Sequence, residues 1–242
     1  MWLAHHGIKG QQWGIRNGPP YPIQAVNKRK IESMSKNYNP NFNRPHSDYN
    51  LFKWGNSKDT NILFVTGIAG SGKSTVARDM AKNNKADLIN IDLYTFKTAD
   101  KYLKDMSKDF NNFLDKEVPN WKTLQKNAYE VLTKNDRRKM KQAGLWFDTF
   151  ENALLKYGEQ QFGKRKVVAE GVQILDETLF YNNKKALKGK PLIIMDTSVE
   201  DSVLSRVARD NKSIDKLLEP ERVKQLEGWI KDIKNLKREI GG

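Results

Sequence analysis

The chain has 242 residues, a formal net charge of +14 and no cysteine, and its 38% hydrophobic content is enough for a folded core. That length holds one sizeable α/β domain with appendages, and the lack of cysteine excludes a disulfide scaffold, thiolate metal sites and cysteine nucleophiles. No apolar run is long enough for a transmembrane helix, the N-terminus lacks the apolar core of a secretory signal, and the basic balance favours anionic partners such as nucleotides, nucleic acid or an acidic protein surface.

Residues 1–50 read as a flexible N-terminal extension. Glycine and proline punctuate Met1 to Pro22 with no helix or strand period. Ile23 to Met34 is spaced for a short basic helix, and Asn37 to Asn50 reads as loop. Trp2, His5, His6, Ile8 and Trp13 are unusual in a solvated tail and suit an extended segment that docks into a groove. Two adjacent histidines without carboxylates nearby make a poor metal site. The run His5 to Arg16, HHGIKGQQWGIR, resembles a short HHGIKGxxWGxR element at the ends of tailed-phage structural and accessory proteins. The resemblance implies a bacteriophage or prophage origin and association with the virion, while the absence of cysteine fits a cytoplasmic location in the host cell.

Residues 51–242 are expected to form the globular domain. Asn61 to Thr66 is a buried strand, and Gly67-Ile68-Ala69-Gly70-Ser71-Gly72-Lys73-Ser74 then matches G-x-x-x-x-G-K-[ST] at every fixed position. Thr75 follows, inside a helix predicted over Lys73 to Asn83. Gly67, Gly70 and Gly72 permit the positive φ angles that wrap a loop around phosphate. Backbone N–H groups at a helix N-terminus attract an anion, the Lys73 ammonium reaches the β- and γ-phosphates, and the Ser74 hydroxyl suits Mg²⁺. ATP and Mg²⁺ are therefore the expected cofactors, bound through Gly67, Ala69, Gly70, Ser71, Gly72, Lys73, Ser74 and Thr75.

A second apolar run, Ala86 to Ile91, ends at Asp92. A helical insertion is expected over about 98–157: a helix from Lys101 to Leu114, a break at Val118-Pro119-Asn120, a helix from Asn120 to Thr133, a basic stretch with Arg137-Arg138-Lys139, an interruption at Gly144, and a strong helix from Trp146 to Tyr157. Its aromatic residues are read as core rather than a base-stacking platform. Lys166 to Ala169 is a third strand ended by Glu170, and Leu192 to Met195 a fourth ended by Asp196. Val199 to Asp210 is a helix carrying Arg206 and Arg209. Pro220 to Ile240 is a charged helix with one apolar stripe, placed to cover the sheet or pair with a partner. The order predicts an α/β three-layer sandwich with a parallel sheet, the architecture of P-loop NTPases.

Phosphoryl transfer needs a phosphate cradle, Mg²⁺, a group that positions the acceptor, and cations on the developing charge. A carboxylate past a strand's C-terminal end faces the ligand crevice of an open parallel sheet. Asp92 is thus a candidate to accept the acceptor's proton, with an N-cap role as its structural alternative. Glu170 is a candidate to hold Mg²⁺ with Ser74, through water, or to contact the acceptor, and Arg206 and Arg209 are candidate lid cations. With Lys73 these form the expected catalytic set. The layout resembles the small P-loop kinases, in particular the zeta-toxin, 5′-polynucleotide kinase and nucleoside kinase group. The matching residues are Gly67 through Thr75, Asp92, the Val167-to-Gly171 stretch VVAEG, and Arg206 with Arg209. The resemblance implies transfer of the γ-phosphoryl group of ATP to a hydroxyl of a nucleoside, nucleotide, polynucleotide end or nucleotide-sugar. No arginine stands among Leu93-Tyr94-Thr95-Phe96, where related kinases place one, and the acceptor is left open. The alternative is a P-loop ATPase, or a virion accessory protein with a nucleotide site.

Overall fold

The computed structural model describes residues 61–134, 140–175, 191–195, 197–210 and 213–240, together with Leu3–Ala4; for 3–4, 140–142, 208–210 and 236–240 it describes the backbone alone. The rest of the N-terminal extension, including His5 and His6, the Arg137-Arg138-Lys139 cluster and Asp196 lie outside the described residues.

Four parallel strands form the sheet: β2 (Ile62–Gly67), β3 (Asp87–Asn90), β4 (Val167–Glu170) and β5 (Leu192–Met195). The two-residue β1 (Leu3–Ala4) adds to the β5 edge, giving the order β1-β5-β2-β4-β3. Short β-branched runs buried on both faces explain the strands: every residue of β2, β4 and β5 is buried.

The side-chain period of two splits the sheet between two cores. Leu63, Val65, Leu88, Val168, Ile193 and Met195 meet Val76, Ala77, Met80 and Ala81 of α1 (Lys73–Asn83). Ile62, Phe64, Ile89, Val167, Ala169, Leu192 and Ile194 face the larger core, built by the insertion and the C-terminal helices. The architecture is thus α/β, with helices on both faces of a parallel sheet, compatible with a three-layer sandwich.

After β3 come α2 (Ile91–Thr95), α3 (Ala99–Tyr102), α4 (Lys108–Glu117), α5 (Trp121–Thr133) and α6 (Met140–Gln160). The spacing predicts one helix from Lys101 to Leu114, but the chain breaks at Met106 and Ser107, whose backbones are extended. Ser107 caps α4 by accepting the Phe110 N–H, while its hydroxyl donates to Asp87 at 2.8 Å. Gly144, expected to interrupt, lies inside a continuous α6, because Ala143, Trp146 and Phe147 on either side of it are buried.

Trp121, Trp146, Phe110, Phe150, Tyr94 and Tyr157 stack in the larger core with ring centroids 5.1–6.2 Å apart. They are core, as their periodicity implies. Asp87 is the polar node beneath them, accepting from Ser107 and, at 2.9 Å, from the Tyr157 hydroxyl. Burial, with Asp87 next in weight, pushes both the Tyr94 and Tyr157 hydroxyls above the ordinary tyrosine range.

Beyond β5 lie α7 (Val199–Asp210), α8 (Ile214–Leu217) and α9 (Pro220–Ile240). The stripe on α9 turns inward: Leu226 and Ile233 are buried, with Val223, Trp229 and Ile230 packed beside them. The helix therefore covers its own domain's core. No helix among the described residues is long and apolar enough to cross a membrane.

Candidate functional site

Parallel strands bring all their C-terminal ends to one edge, so the segments after β2, β3, β4 and β5 meet there. The register is direct: Val65 pairs with Glu170, and Asn90 with Glu170, so Asn90 and Glu170 are cross-strand neighbours. Alternation puts both side chains on the α1 face, opposite to Ala169 and Ile89.

The loop from Gly67 to Gly72 leads into α1 through Gly72, which sits at the N-cap with φ +86° and no side-chain cap. Thr75 and Val76 donate their N–H groups to the Gly72 carbonyl, and Ser71 donates to Ile68. Gly70, at φ +84°, passes so close to α7 that an added Cβ would stand 2.6 Å from the Ser202 carbonyl and 3.0 Å from Arg206 Cγ. Ser202 also donates its hydroxyl to the Ala69 carbonyl. The loop is thus clamped by α7, and Arg206 lies across it. Arg209 is on the same helix, and its side chain is outside the described residues. Asp201 accepts from the Ser198 hydroxyl at 2.7 Å and returns its own N–H to Ser198 Oγ, capping the start of α7.

Lys73 is buried at the start of α1, 7% exposed. Glu170 is 1% exposed, and its carboxyl is held above the usual carboxylate range. Burial is the largest cause, outweighing the attraction of Lys73; the charge on Asp92 adds to it, while the Ser74 hydroxyl and Arg78 act against it. Lys73, Ser74 and Asp92 thus all act on Glu170, at the C-terminal edge of the sheet.

Asp92 lies in the first turn of α2. Its N-cap alternative does not hold, since Asn90 occupies that position and makes no side-chain cap hydrogen bond. The α2 backbone is fixed from the insertion. Trp146 Nε1 donates to the Tyr94 carbonyl at 2.8 Å and Gln125 Nε2 to the Leu93 carbonyl at 3.1 Å, while Gln125 Oε1 accepts from the Ala99 N–H.

Among the described residues, five buried side-chain oxygens have no hydrogen-bond partner: Ser71 Oγ, Asn90 Oδ1, Asp92 Oδ1, Glu170 Oε2 and Gln173 Oε1. Such groups cost stability unless something fills them, so a cluster is a mark of a binding site. Asn90 and Gln173 are the two that motif reasoning passes over. Asn90 carries a signal in its place two residues before Asp92; Gln173 carries none. An open cavity of about 700 Å³ lies alongside Ala69, rimmed by Arg206, Arg222 and Lys224 and floored by Leu226 and Trp229. Among the described residues no group of three or more histidine, cysteine or acidic side chains is placed to hold a metal.

No curated protein and no solved structure matches the chain significantly. The family model described as Nephrocystin 3, N-terminal, matches residues 46–173. The match takes in the glycine-rich loop, Asp92, the insertion, Glu170 and Gln173, and it stops short of Arg206. It spans more than half of the sequence, and the chain belongs to the Nephrocystin 3 N-terminal family.

Proposed function

We propose that the protein is an ATP-dependent P-loop kinase that transfers the γ-phosphoryl group to a hydroxyl. The observation that carries this reading is the convergence of Lys73, Ser74, Asp92 and Glu170 on one edge of a parallel sheet, with unpartnered oxygens of Asp92 and Glu170 left facing it. The loop's N–H groups at the start of α1 and the Lys73 ammonium bind the polyphosphate. Arg206, held across the loop at Gly70, supplies positive charge beside it, with Arg209 on the same helix as a second candidate. The basic rim formed by Arg222 and Lys224 gives further room for an anionic ligand. Asp92 orients the acceptor and takes its proton. The acceptor oxygen bonds to the γ-phosphorus, the bond from that phosphorus to the β-bridging oxygen breaks, ADP departs, and the proton rests on Asp92 Oδ1.

Mg²⁺ fits this set. Ser74 and Glu170 already interact, and Glu170 Oε2 is buried without a partner. When bound, the ion would neutralise charge on the β- and γ-phosphates.

The test is incubation with γ-labelled ATP and a panel of nucleosides, nucleotides, oligonucleotides with free 5′ ends and nucleotide-sugars. Asp92→Asn is expected to lower transfer about 10²- to 10⁴-fold while ATP affinity holds. Unchanged transfer by that variant would remove Asp92 from its role. Hydrolysis of ATP with no labelled acceptor would instead favour an ATPase.

A further inference from the structure

Only the basic rim of the cavity beside Ala69 serves the kinase proposed above. The whole space measures about 700 Å³, inside the span of roughly 300–1,000 Å³ usual for small-molecule sites. Three elements enclose it: the glycine-rich loop through Ala69, α7 through Arg206, and the first turns of α9. On α9, Arg222, Leu226 and Trp229 recur at i, i+4 and i+7, which places them on one face of the helix. Leu226 is buried, and Trp229 is half-buried. The indole packs on the larger core and still lines the cavity, so the ring is held in place with part of its surface open. The opposite wall is fixed as well, because Ser202 of α7 donates its hydroxyl to the Ala69 carbonyl.

The lining is mixed. Trp229 and Leu226 offer an apolar floor for a flat ring, while Arg206, Arg222 and Lys224 stand against the single carboxylate of Glu221. Arg222 also donates to Glu219 at 3.1 Å, and with Glu219 counted the cations still outnumber the carboxylates. A neutral aromatic compound would leave the cations unused, and free phosphate would leave the indole unused. A nucleotide uses both. The strand order β5-β2-β4-β3 puts α7, which follows β5, to one side of the loop, and Asp92, which follows β3, to the other. Phosphoryl transfer sets the attacking and leaving oxygens in line, so the donor beyond its phosphates points away from the acceptor. The cavity is on that side.

We infer that this cavity seats the nucleoside end of the donor triphosphate, with its base stacked on the Trp229 indole. Trp229 is then the residue that distinguishes a nucleotide from a bare phosphate chain, and α9, besides covering the core, forms part of the nucleotide site. The inference rests on the nucleotide-binding half of the proposed function and deepens it.

The experiment measures, on the full chain by titration calorimetry with Mg²⁺, the affinities for ATP and for ribose 5′-triphosphate, which has the sugar and phosphates without the base. The native protein should bind ATP about tenfold to a hundredfold more tightly, the worth of one base stacked on an aromatic ring. Trp229→Leu keeps an apolar side chain on the core and removes the flat ring. It should weaken ATP binding alone and bring the two affinities together, whereas Trp229→Phe should keep most of the difference. A merely structural role for Trp229 would weaken both ligands equally and leave their ratio at the native value. Equal native affinities, or an unchanged ratio in Trp229→Leu, overturn the inference and leave the kinase proposal standing. A Trp229→Leu protein with the native ratio and a raised KM for whichever acceptor takes label assigns the cavity to the acceptor, which also overturns it. Binding of neither triphosphate by the native protein overturns both.

Discussion

Glu170 is where stability and function pull apart, and Glu170→Gln makes the conflict measurable. The carboxyl is 1% exposed, and burial raises its pKa despite the nearby Lys73 and Ser74. A group whose pKa is higher in the fold than in the unfolded chain adds stability at pH values below its ordinary range. That stability is lost as pH rises through the raised value. Toward neutral pH the native protein therefore gains less from this group than it does in acid, and its Oε2 is unpartnered as well. Glutamine mimics the protonated form. Without ligand at pH 7.5, the variant should be more stable by about 1–3 kcal/mol, the range for a buried polar group without a partner. For a chain of this size each kcal/mol moves Tm by roughly 2–4 °C. Thermal unfolding followed by circular dichroism at pH 5 and pH 7.5 gives the readout. The native protein should lose stability between the two pH values, and the variant should lose less. The same variant should bind ATP in the presence of Mg²⁺ at least about tenfold more weakly, since the group that suits the cation is gone. A variant that is less stable at pH 7.5, or that follows the native pH slope, would refute the claim that burial outweighs Lys73.

Two further outcomes test the frame around the site. Gly70→Ala puts a methyl 2.6 Å from the Ser202 carbonyl at a φ of +84°; the left-handed backbone alone costs about 1–2 kcal/mol, and α7 must shift away from the loop. ATP affinity by titration calorimetry should fall about tenfold or more, and an unchanged value would mean that α7 does not shape the loop. Asp87→Ala strips the acceptor from Ser107 and Tyr157, costing about 3–5 kcal/mol in chemical unfolding, whereas Tyr157→Phe removes one hydrogen bond and should cost about 1–2 kcal/mol. Equal losses for the two would show that Asp87 is not the shared node.

What was legible in the sequence was local. The strand, glycine loop and helix from Ile62 to Asn83 follow from residues adjacent in the chain, and so do α7 and α9, whose apolar stripes repeat regularly. The insertion's aromatic spacing likewise marked Trp121, Phe150 and Tyr157 as core. Reading failed where a distant partner decides. Ser107 breaks the expected helix because Asp87, 20 residues earlier, takes its hydroxyl. Gly144 costs an α-helix about 1 kcal/mol, and the burial of Trp146 and Phe147 exceeds that. Gln173 was invisible because its orientation is set by Thr95, 78 residues away, through a proton that Thr95 has already committed to Ile91.

The two carbonyl anchors on α2 carry a wider implication. Trp146 and Gln125 grip the main chain at Tyr94 and Leu93, two and one residues beyond Asp92, while the glycine-rich turn is braced by Ser202 of α7. In the proposed kinase, the donor and acceptor halves of the crevice therefore hang from separate scaffolding. Drift in the aromatic block can re-aim one jaw of the vice while leaving the other untouched, a division of labour that lets new acceptors be tried without rebuilding the nucleotide seat.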